Sequence, residues 1–124
     1  MDSLKILIIE DDPTTCALLK TSLELEGYRI SFVYNVENHG VLALLNQEKP
    51  DILLLDFYLS SQETLPYLAS IRDDADWQNL PVLMASAIDH EQECLAAGAT
   101  DFMLKPFNWD DLIDKVKQAS TKIS

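Results

Sequence analysis

The sequence is short of basic residues and of long apolar runs, and each shortage argues against a class of function. Nine Lys and Arg stand against 21 Asp and Glu among 124 residues, which gives a net charge of −12. Direct binding to nucleic acid is not expected, because it relies on basic residues that neutralise phosphates. The apolar runs stay far below the roughly 20 residues of a membrane-spanning helix, so no membrane segment is predicted. Met1-Asp2-Ser3 leads directly into the first predicted strand, and no signal peptide is visible.

Cysteine and histidine are also scarce. Cys16 and Cys94 are far apart and fit no metal-binding or redox spacing, so both are interpreted as ordinary small residues within helical patterns. This cysteine usage is typical of the reducing cytoplasm, which is the predicted location. His39 and His90 are isolated, and neither is predicted to be a ligand or a phosphoryl carrier.

The chain does contain alternating strand and helix patterns throughout its length. With 124 residues, 48% of them hydrophobic, it is predicted to form one domain over residues 1–124. The predicted strands cover Lys5–Ile9, Arg29–Tyr34, Asp51–Leu55, a segment that opens at Pro81, and Asp101–Leu104. The predicted helices begin at Asp12-Pro13, span Val36–Glu48 with Asn35 as a cap, Glu63–Arg72 and roughly Asp89–Ala97, and end with one from about Asn108.

Five strand–helix units in succession predict an α/β protein with a parallel sheet and helices on both faces. The runs before Glu10, Asp56 and Ser86 are the most apolar, so those strands are predicted to be central. The less apolar strand at Arg29–Tyr34 is placed at an edge. These assignments favour the flavodoxin-like, doubly wound, five-stranded order 2-1-3-4-5 with five helices. In such sheets ligands bind at the carboxyl ends of the strands.

Four of the apolar runs end on groups that can take part in phosphate chemistry. The first is followed by Glu10-Asp11-Asp12, and the others end at Asp56, Ser86 and Lys105. Nearby carboxylates repel each other unless a cation neutralises them or one is protonated. Mg²⁺ takes carboxylate and phosphate oxygens, a lysine can hold a phosphate oxygen, and a carboxylate can attack phosphorus. The pattern therefore predicts a magnesium-dependent phosphoryl site, in which Asp12 is interpreted as a helix cap and not as a ligand.

The same segments resemble the receiver domain of two-component response regulators over essentially the full length of the chain. Asp56 lies 45 residues after Asp11, Ser86 lies 30 residues after Asp56, and Lys105 lies 19 residues after Ser86. Each segment alone is a weak signal, and the four together in this order are a strong one. They read I-L-I-I-E-D-D-P at 6–13, D-I-L-L-L-D at 51–56, P-V-L-M-A-S-A at 81–87 and G-A-T-D-F-M-L-K-P-F at 98–107.

The resemblance implies that Asp56 accepts a phosphoryl group from a histidine kinase or a histidine phosphotransfer protein. Mg²⁺ would be held by Asp11, by Asp56 itself and by the backbone carbonyl of Tyr58, with Glu10 acting through water. Lys105 would hold the phosphoryl group. The chain would catalyse only its own phosphorylation and dephosphorylation, so it is not expected to be an enzyme with a separate substrate.

Ser86 and Phe102 fall on the positions that the family uses as a switch. On phosphorylation, Ser86 would move toward the new phosphate oxygens and Phe102 would rotate inward, a local charge event that biases a larger surface. That surface comprises the fourth helix, the fifth strand and the fifth helix. It would contact an unidentified downstream protein or form a homodimer. The resemblance also implies a cis Lys105–Pro106 bond.

Two stretches depart from the family pattern. The segment from Ser86 to Gly98 is about three residues shorter than usual, close to one helical turn, so the fourth helix or the loop before it is predicted to be trimmed. Ser60 and Thr64 stand where the family often has proline and glycine, which predicts a less constrained loop after the phosphoacceptor.

Bulky residues are expected beside the site. Tyr58 and Ile88 stand where many relatives carry smaller or polar side chains. Our hypothesis is that these groups restrict the hydrolytic water and lengthen the life of phosphorylated Asp56.

Two other functions remain open at this point. One is a phosphorylation-independent interaction module on the same fold; the trimmed fourth helix favours it, and the complete set of strand-end residues argues against it. The other is an aspartyl-nucleophile phosphatase of the haloacid dehalogenase type. That family has a second Asp two residues after the nucleophile, where this chain has Tyr58.

Overall fold

The chain forms a parallel sheet between two layers of helices, and a computed structural model describes residues 3–36 and 40–123. The strands of the sheet are β1 (Lys5–Ile9), β2 (Arg29–Val33), β3 (Ile52–Asp56), β4 (Val82–Ser86) and β5 (Asp101–Leu104). The helices are α1 (Pro13–Leu25), α2 (Gly40–Glu48), α3 (Leu65–Arg72), α4 (Glu91–Ala96) and α5 (Trp109–Ser120). A short antiparallel hairpin that joins Tyr58–Leu59 to Gln62–Glu63 follows β3.

The five strands pair in parallel in the order β2-β1-β3-β4-β5, which confirms the predicted flavodoxin-like arrangement. Successive residues of the central strands face opposite layers. Leu7 and Leu53 pack with α2, α3 and α4, whereas Ile6 and Ile52 pack with α1 and α5. Both faces of these strands are covered, which explains why their sequences are continuous apolar runs. Burial of each such side chain contributes roughly 1.5–3 kcal/mol.

α1 begins where the sequence predicts, directly after the acidic pair. Asp12 is its N-cap, with a side chain that accepts a hydrogen bond from the Thr15 N–H at 3.2 Å, and Pro13 is the first helical residue. Gly27 follows the helix with a φ of +97°, the left-handed conformation that glycine adopts without strain. The cap fixes the turn that leaves Glu10 and Asp11 at the end of β1.

The predicted start of α2 is wrong. The helix begins at Gly40, not at Val36 with Asn35 as a cap. Gly40 has a φ of +85°, and a right-handed helix cannot continue through a left-handed residue. Residues 37–39, which include His39, lie outside the described residues.

The predicted start of α3 is also wrong, because a hairpin occupies that part of the chain. Glu63 pairs with Tyr58 across the hairpin, so the helix begins at Leu65. The two turn residues, Ser60 and Ser61, have φ values of +50° and +69°. Positive φ at both central positions is the mark of a type I′ turn, for which Asn-Gly is the usual sequence signal. Ser-Ser gives no such signal.

α4 has six residues and is the shortest helix in the described part of the chain, in agreement with the predicted trimming before Gly98. None of the helices within residues 3–36 and 40–123 combines the length and apolar character needed to cross a membrane. The two cysteines are fully buried. Burial, assisted by neighbouring acidic groups, raises the pKa of each thiol to about 11, so both are unreactive core residues.

Candidate functional site

The carboxyl ends of four strands open into one pocket of about 430 Å³. The register aligns these ends, since Asp56 pairs with Ala85 and Ser86 pairs with Leu104. The sequence-predicted groups from β1, β3, β4 and the end of β5 therefore meet, as the strand order requires. The pocket is lined by Glu10, Asp11, Asp56, Tyr58, Ser61, Ser86, Ala87, Ile88 and Lys105.

Asp56 lies at the floor of this pocket as the last residue of β3, and it is 8% exposed. Its Oδ1 lies 3.0 Å from the Nζ of Lys105. Burial raises the pKa of the Asp56 carboxyl and the charge of Glu10 raises it further; together they outweigh the opposing Lys105 and bring the pKa to about 6. The carboxylate is therefore mostly ionised at neutral pH. Its charge is buried beside the charge of Glu10, and an added cation would offset this unfavourable interaction.

The Lys105 ammonium joins the two buried carboxylates, because its Nζ also donates to Oε2 of Glu10. Burial lowers the pKa of Lys105, but the hydrogen bond to Glu10 and the charge of Asp56 outweigh this effect and raise it. The Lys105 N–H donates to the carbonyl of Ser86 at 2.8 Å, which extends the ladder past the end of β5. The Lys105–Pro106 bond is cis, as the resemblance implied. Lys105 is thus a charged group in a fixed position.

The adjacent residues Glu10 and Asp11 are held in different ways. Glu10 is 4% exposed, and its Oε1 accepts a hydrogen bond from the Asp12 N–H at 3.2 Å. Asp11 is exposed, and its Oδ2 accepts one from the Ser60 N–H at 2.9 Å. Carboxylate oxygens of Glu10, Asp11 and Asp56 lie within 4.8 Å of one another. Three carboxylates against one ammonium leave an excess of negative charge that calls for a cation.

This donor set fits Mg²⁺. The ion takes oxygen ligands and keeps several waters, and the carboxylates stand at an open pocket that water can enter. The backbone carbonyl of Tyr58 is available as a further oxygen. Tyr58 and Glu63 form the middle pair of the hairpin, between two hydrogen-bonded pairs, so the Tyr58 carbonyl points away from the partner strand.

Residues 6–117 match the sequence model of the response regulator receiver domain. The chain belongs to this family. Receivers of response regulators act as phosphoacceptors in two-component signalling, interact with histidine kinases, and bind Mg²⁺ in an acidic pocket. A cluster of acidic residues, Glu10, Asp11 and Asp56, is present in this receiver.

The similar curated proteins are longer than the receiver domain that they share with this chain. The transcriptional regulatory protein KdpE of Staphylococcus aureus is 36% identical over 117 residues, which are 91% of this chain and 48% of that protein. The phosphate regulon transcriptional regulatory protein PhoB of Rhizobium meliloti is 30% identical over 116 residues, which are 91% of this chain and 50% of that protein. The chain thus spans about half the length of these curated relatives.

Solved structures show the same fold. A putative response regulator from Chloroflexus aurantiacus superimposes with a TM-score of 0.86 at 26% identity, over 96% of this chain and 98% of that one. A two-component response regulator from Clostridium difficile gives a TM-score of 0.82 at 30% identity, over 96% of this chain and 97% of that one.

The two residues that the resemblance assigns to a switch are both buried. Ser86 is 2% exposed, and its Oγ accepts a hydrogen bond from the Ile88 N–H at 3.1 Å, which leaves the hydroxyl proton available to a ligand in the pocket. Phe102 is 3% exposed and lies within the core between the sheet and α4. The Phe102 ring therefore already has the inward position that the resemblance assigns to the phosphorylated state.

Side-chain hydrogen bonds hold the loop that follows Asp56. Thr64, which stands where relatives often have glycine, is fully buried and donates its hydroxyl to the carbonyls of Asp56 at 2.7 Å and Phe57 at 3.2 Å. The Ser60 N–H is tied to Asp11 in addition. These side-chain hydrogen bonds and the hairpin constrain a loop that lacks the family's proline.

Sequence reasoning also missed the surroundings of His90. Its ring stacks on that of Phe57, with a centroid separation of 4.0 Å and an interplanar angle of 8°. Its Nε2 lies 3.3 Å from the hydroxyl of Tyr58, and its Nδ1 lies 3.0 Å from Oε1 of Glu93. An isolated histidine carries no sequence signal for such partners. They could be anticipated only by placing the residues that follow β3 beside those that follow β4.

Proposed function

We propose that this receiver takes a phosphoryl group from a phosphohistidine onto Asp56 in a Mg²⁺-dependent reaction. One observation carries the proposal: Asp56 lies at the floor of the pocket, 3.0 Å from Lys105, with oxygens of Glu10 and Asp11 within 4.8 Å. A carboxylate nucleophile, a fixed ammonium and a cation-binding acidic pair are the groups that phosphoryl transfer needs.

In the transfer, a carboxylate oxygen of Asp56 forms a bond to phosphorus while the bond from phosphorus to the donor's imidazole nitrogen breaks. The electron pair of the broken bond returns to the imidazole, which then takes a proton. Lys105 holds a phosphoryl oxygen by charge, and the Ser86 hydroxyl donates to another. Asp11, Asp56 and the Tyr58 carbonyl would hold Mg²⁺, with Glu10 acting through water, and the bound ion would supply positive charge that offsets the negative charge of the transferring group.

The reaction changes the chain itself, so the receiver turns over no separate substrate. Hydrolysis of the acyl phosphate ends the signal, and Tyr58 and Ile88, which line the pocket, slow that step by limiting access of water. The alternative of an aspartyl-nucleophile phosphatase lacks its general acid, because Tyr58 stands where the second Asp would be.

The donor is a histidine kinase or a histidine phosphotransfer protein, and the output surface is formed by α4, β5 and α5. Residues 87–104 contain no Lys or Arg, so α4 and β5 present mainly acidic and apolar groups. A homodimer through this surface would bring two acidic segments together and would therefore form more readily at high salt than at low salt. Sedimentation velocity of the phosphorylated protein at two salt concentrations tests this.

The function is tested by intact-mass measurement after incubation with a small phosphodonor such as phosphoramidate. We expect the wild type to gain one phosphoryl group with Mg²⁺ and none with EDTA. Asp56→Asn removes the acceptor, whereas Asp51→Asn changes an acid at the opposite end of β3 and should leave the reaction intact. Phosphorylation of the Asp56→Asn variant at the wild-type level would refute the proposal.

A further inference from the structure

The attachment of α4 to the rest of the receiver is slight. Within the helix only Cys94 is buried, whereas its flanking Glu and Leu side chains are exposed. The residue that precedes the helix, His90, makes no capping hydrogen bond, yet its side chain is only 14% exposed. His90 therefore attaches the start of α4 to the rest of the receiver at a second point, on the side of the pocket.

This second attachment ends on the two residues that follow the phosphoacceptor. His90 stacks on Phe57 and meets the ring of Tyr58 edge-on, with a centroid separation of 5.7 Å. A stacked aromatic pair contributes about 0.5–1.5 kcal/mol beyond its buried area. The start of α4 has no side-chain cap, so this stack contributes to its attachment.

The hydrogen bonds of His90 fix the orientation of its ring. A carboxylate can only accept, so Nδ1 carries the proton that is donated to Glu93. In the neutral ring Nε2 then accepts from the hydroxyl of Tyr58. One ring thus connects Glu93, inside α4, with Tyr58, whose backbone carbonyl is the candidate metal ligand.

The pocket end of this connection is rigid. Phe57 is fully buried, its N–H donates to the carbonyl of Ala85 at 2.8 Å, and its carbonyl accepts from the N–H of Thr64 at 2.8 Å. A displacement at Tyr58 therefore cannot be absorbed by Phe57. His90, which contacts the rings of both residues, is the side chain that would receive it.

We propose that His90 is a positioning residue that couples the metal-binding residue Tyr58 to α4. This inference rests on the proposed function, since it gives the occupied pocket a route to the output surface. The route through Phe102 begins with that ring already buried, whereas the His90 connection is made of hydrogen bonds that can shift or break. Coupling of this kind is reciprocal: a variant that releases α4 also changes the affinity for Mg²⁺.

The test follows backbone amide shifts by NMR while Mg²⁺ is added to the ¹⁵N-labelled protein. In the wild type, amides of the pocket and of α4 should respond with one dissociation constant. His90→Phe keeps a ring that can stack but has no nitrogen to bond, and Tyr58→Phe removes only the hydroxyl. Each variant should reduce the α4 response about fivefold, the low end of coupling between sites, and in His90→Phe the pocket amides should still respond, with an altered dissociation constant.

Two controls separate coupling from damage to the fold. Glu91→Gln alters an exposed residue of α4 and keeps the bonds of His90 to Tyr58 and Glu93, so it should leave the α4 response unchanged. The double variant His90→Phe/Tyr58→Phe should lose no more than His90→Phe alone, because that single variant already removes the bond between His90 and Tyr58. A wild-type α4 response in His90→Phe would overturn the inference.

The outcome remains informative if the proposed function fails. If Mg²⁺ changes no amide shift of the pocket in the wild type, the metal site is refuted. The connection between His90 and α4 is then measured by hydrogen exchange of the α4 amides in the metal-free protein. Faster exchange in both Tyr58→Phe and His90→Phe than in Glu91→Gln supports the connection. Equal exchange in the three variants overturns it.

Discussion

The pocket around Asp56 and the segment from Ile88 to Ala97 are neighbours with opposite physical character. In the pocket, Glu10, Asp56 and Ser86 are at most 8% exposed, and each is held by a hydrogen bond or an ion pair. In the segment, Ile88 is 59% exposed and α4 buries one side chain. The chemical groups are fixed by the central strands, whereas the adjoining helix is held by few contacts.

This difference separates two tasks. Phosphoryl transfer gains from groups that need no rearrangement, because preorganised charges stabilise the transition state most effectively. A signal requires a part that can move at small energetic cost, and such parts are drawn from the less stable regions of a protein. Stacking of His90 on Phe57 joins the two regions.

The comparison is tested most strongly at Lys105. Lys105→Met removes the ammonium that bonds Glu10 and Asp56, so we expect phosphorylation by phosphoramidate to slow about 100-fold. Lys20→Met is the matched control, because its exposed pair with Glu24 is remote from the pocket. The rate is measured by intact mass over time. A rate within a few-fold of the wild type would show that the pocket does not depend on its fixed charge.

The rim where the two regions meet should control the lifetime of the phosphorylated state. Ile88→Glu places a polar group that can orient water at the mouth of the pocket, so we expect dephosphorylation to become several-fold faster. Leu95→Glu makes the same change at a 44% exposed position of α4 and should have no such effect. The decay is measured by intact mass after removal of the phosphodonor. An unchanged lifetime in Ile88→Glu would contradict the hypothesis that bulky rim residues exclude water.

Stability of the pocket should depend on pH through Asp56. The native pKa, about 6, lies above the ordinary value of 3.8, so the fold favours the protonated acid. This contribution is fully present below pH 4 and is lost as the pH rises through 6. We expect Asp56→Asn to be more stable than the wild type by about 1–2 kcal/mol above pH 7, and equal to it near pH 4.

Urea denaturation in EDTA measures this effect, and Asp12 provides a contrast of opposite sign. The hydrogen bond from Thr15 lowers the pKa of Asp12, so its contribution is present at neutral pH and is lost on acidification. Asp12→Ala should therefore destabilise at pH 7, with a loss that shrinks as the pH falls. A pH-independent effect of Asp56→Asn would show that burial does not raise the pKa of the Asp56 carboxyl.

A further prediction concerns the loop that carries Tyr58. Thr64→Val keeps the shape of the side chain but removes the hydroxyl that bonds the carbonyls of Asp56 and Phe57. We expect a loss of about 1–2 kcal/mol in the free energy of unfolding. Thr121→Val, which removes an exposed hydroxyl bonded to the carbonyl of Gln118, should change stability very little. Equal losses in the two variants would mean that Thr64 is not what constrains the loop.

Much of the fold and of the site could be predicted because the relevant signals are local. Continuous apolar runs mark strands that are covered on both faces, and the parallel order brings their ends to one edge. Asp56, Ser86 and Lys105 directly follow or end such a run, and Asp11 comes one residue later, after Glu10, so their meeting required no knowledge of side-chain contacts.

The features that escaped prediction depend on conformations or contacts that the sequence does not mark. Ser60 and Ser61 adopt left-handed conformations for which serine gives no signal, so the hairpin was not foreseen. Thr64 was interpreted through a missing glycine, although its hydroxyl bonds stabilise the loop. His90 acquires its partners only when the residues that follow β3 and β4 are brought side by side.

The central claim, a fixed pocket joined to a lightly held α4, is tested most directly by hydrogen–deuterium exchange with and without Mg²⁺ and beryllofluoride. The account predicts little change in the already protected strands β1, β3 and β4. It predicts altered protection in the hairpin at residues 58–63 and in the segment from Ile88 to Ala97. Altered protection in the strands, with none in that segment, would contradict it.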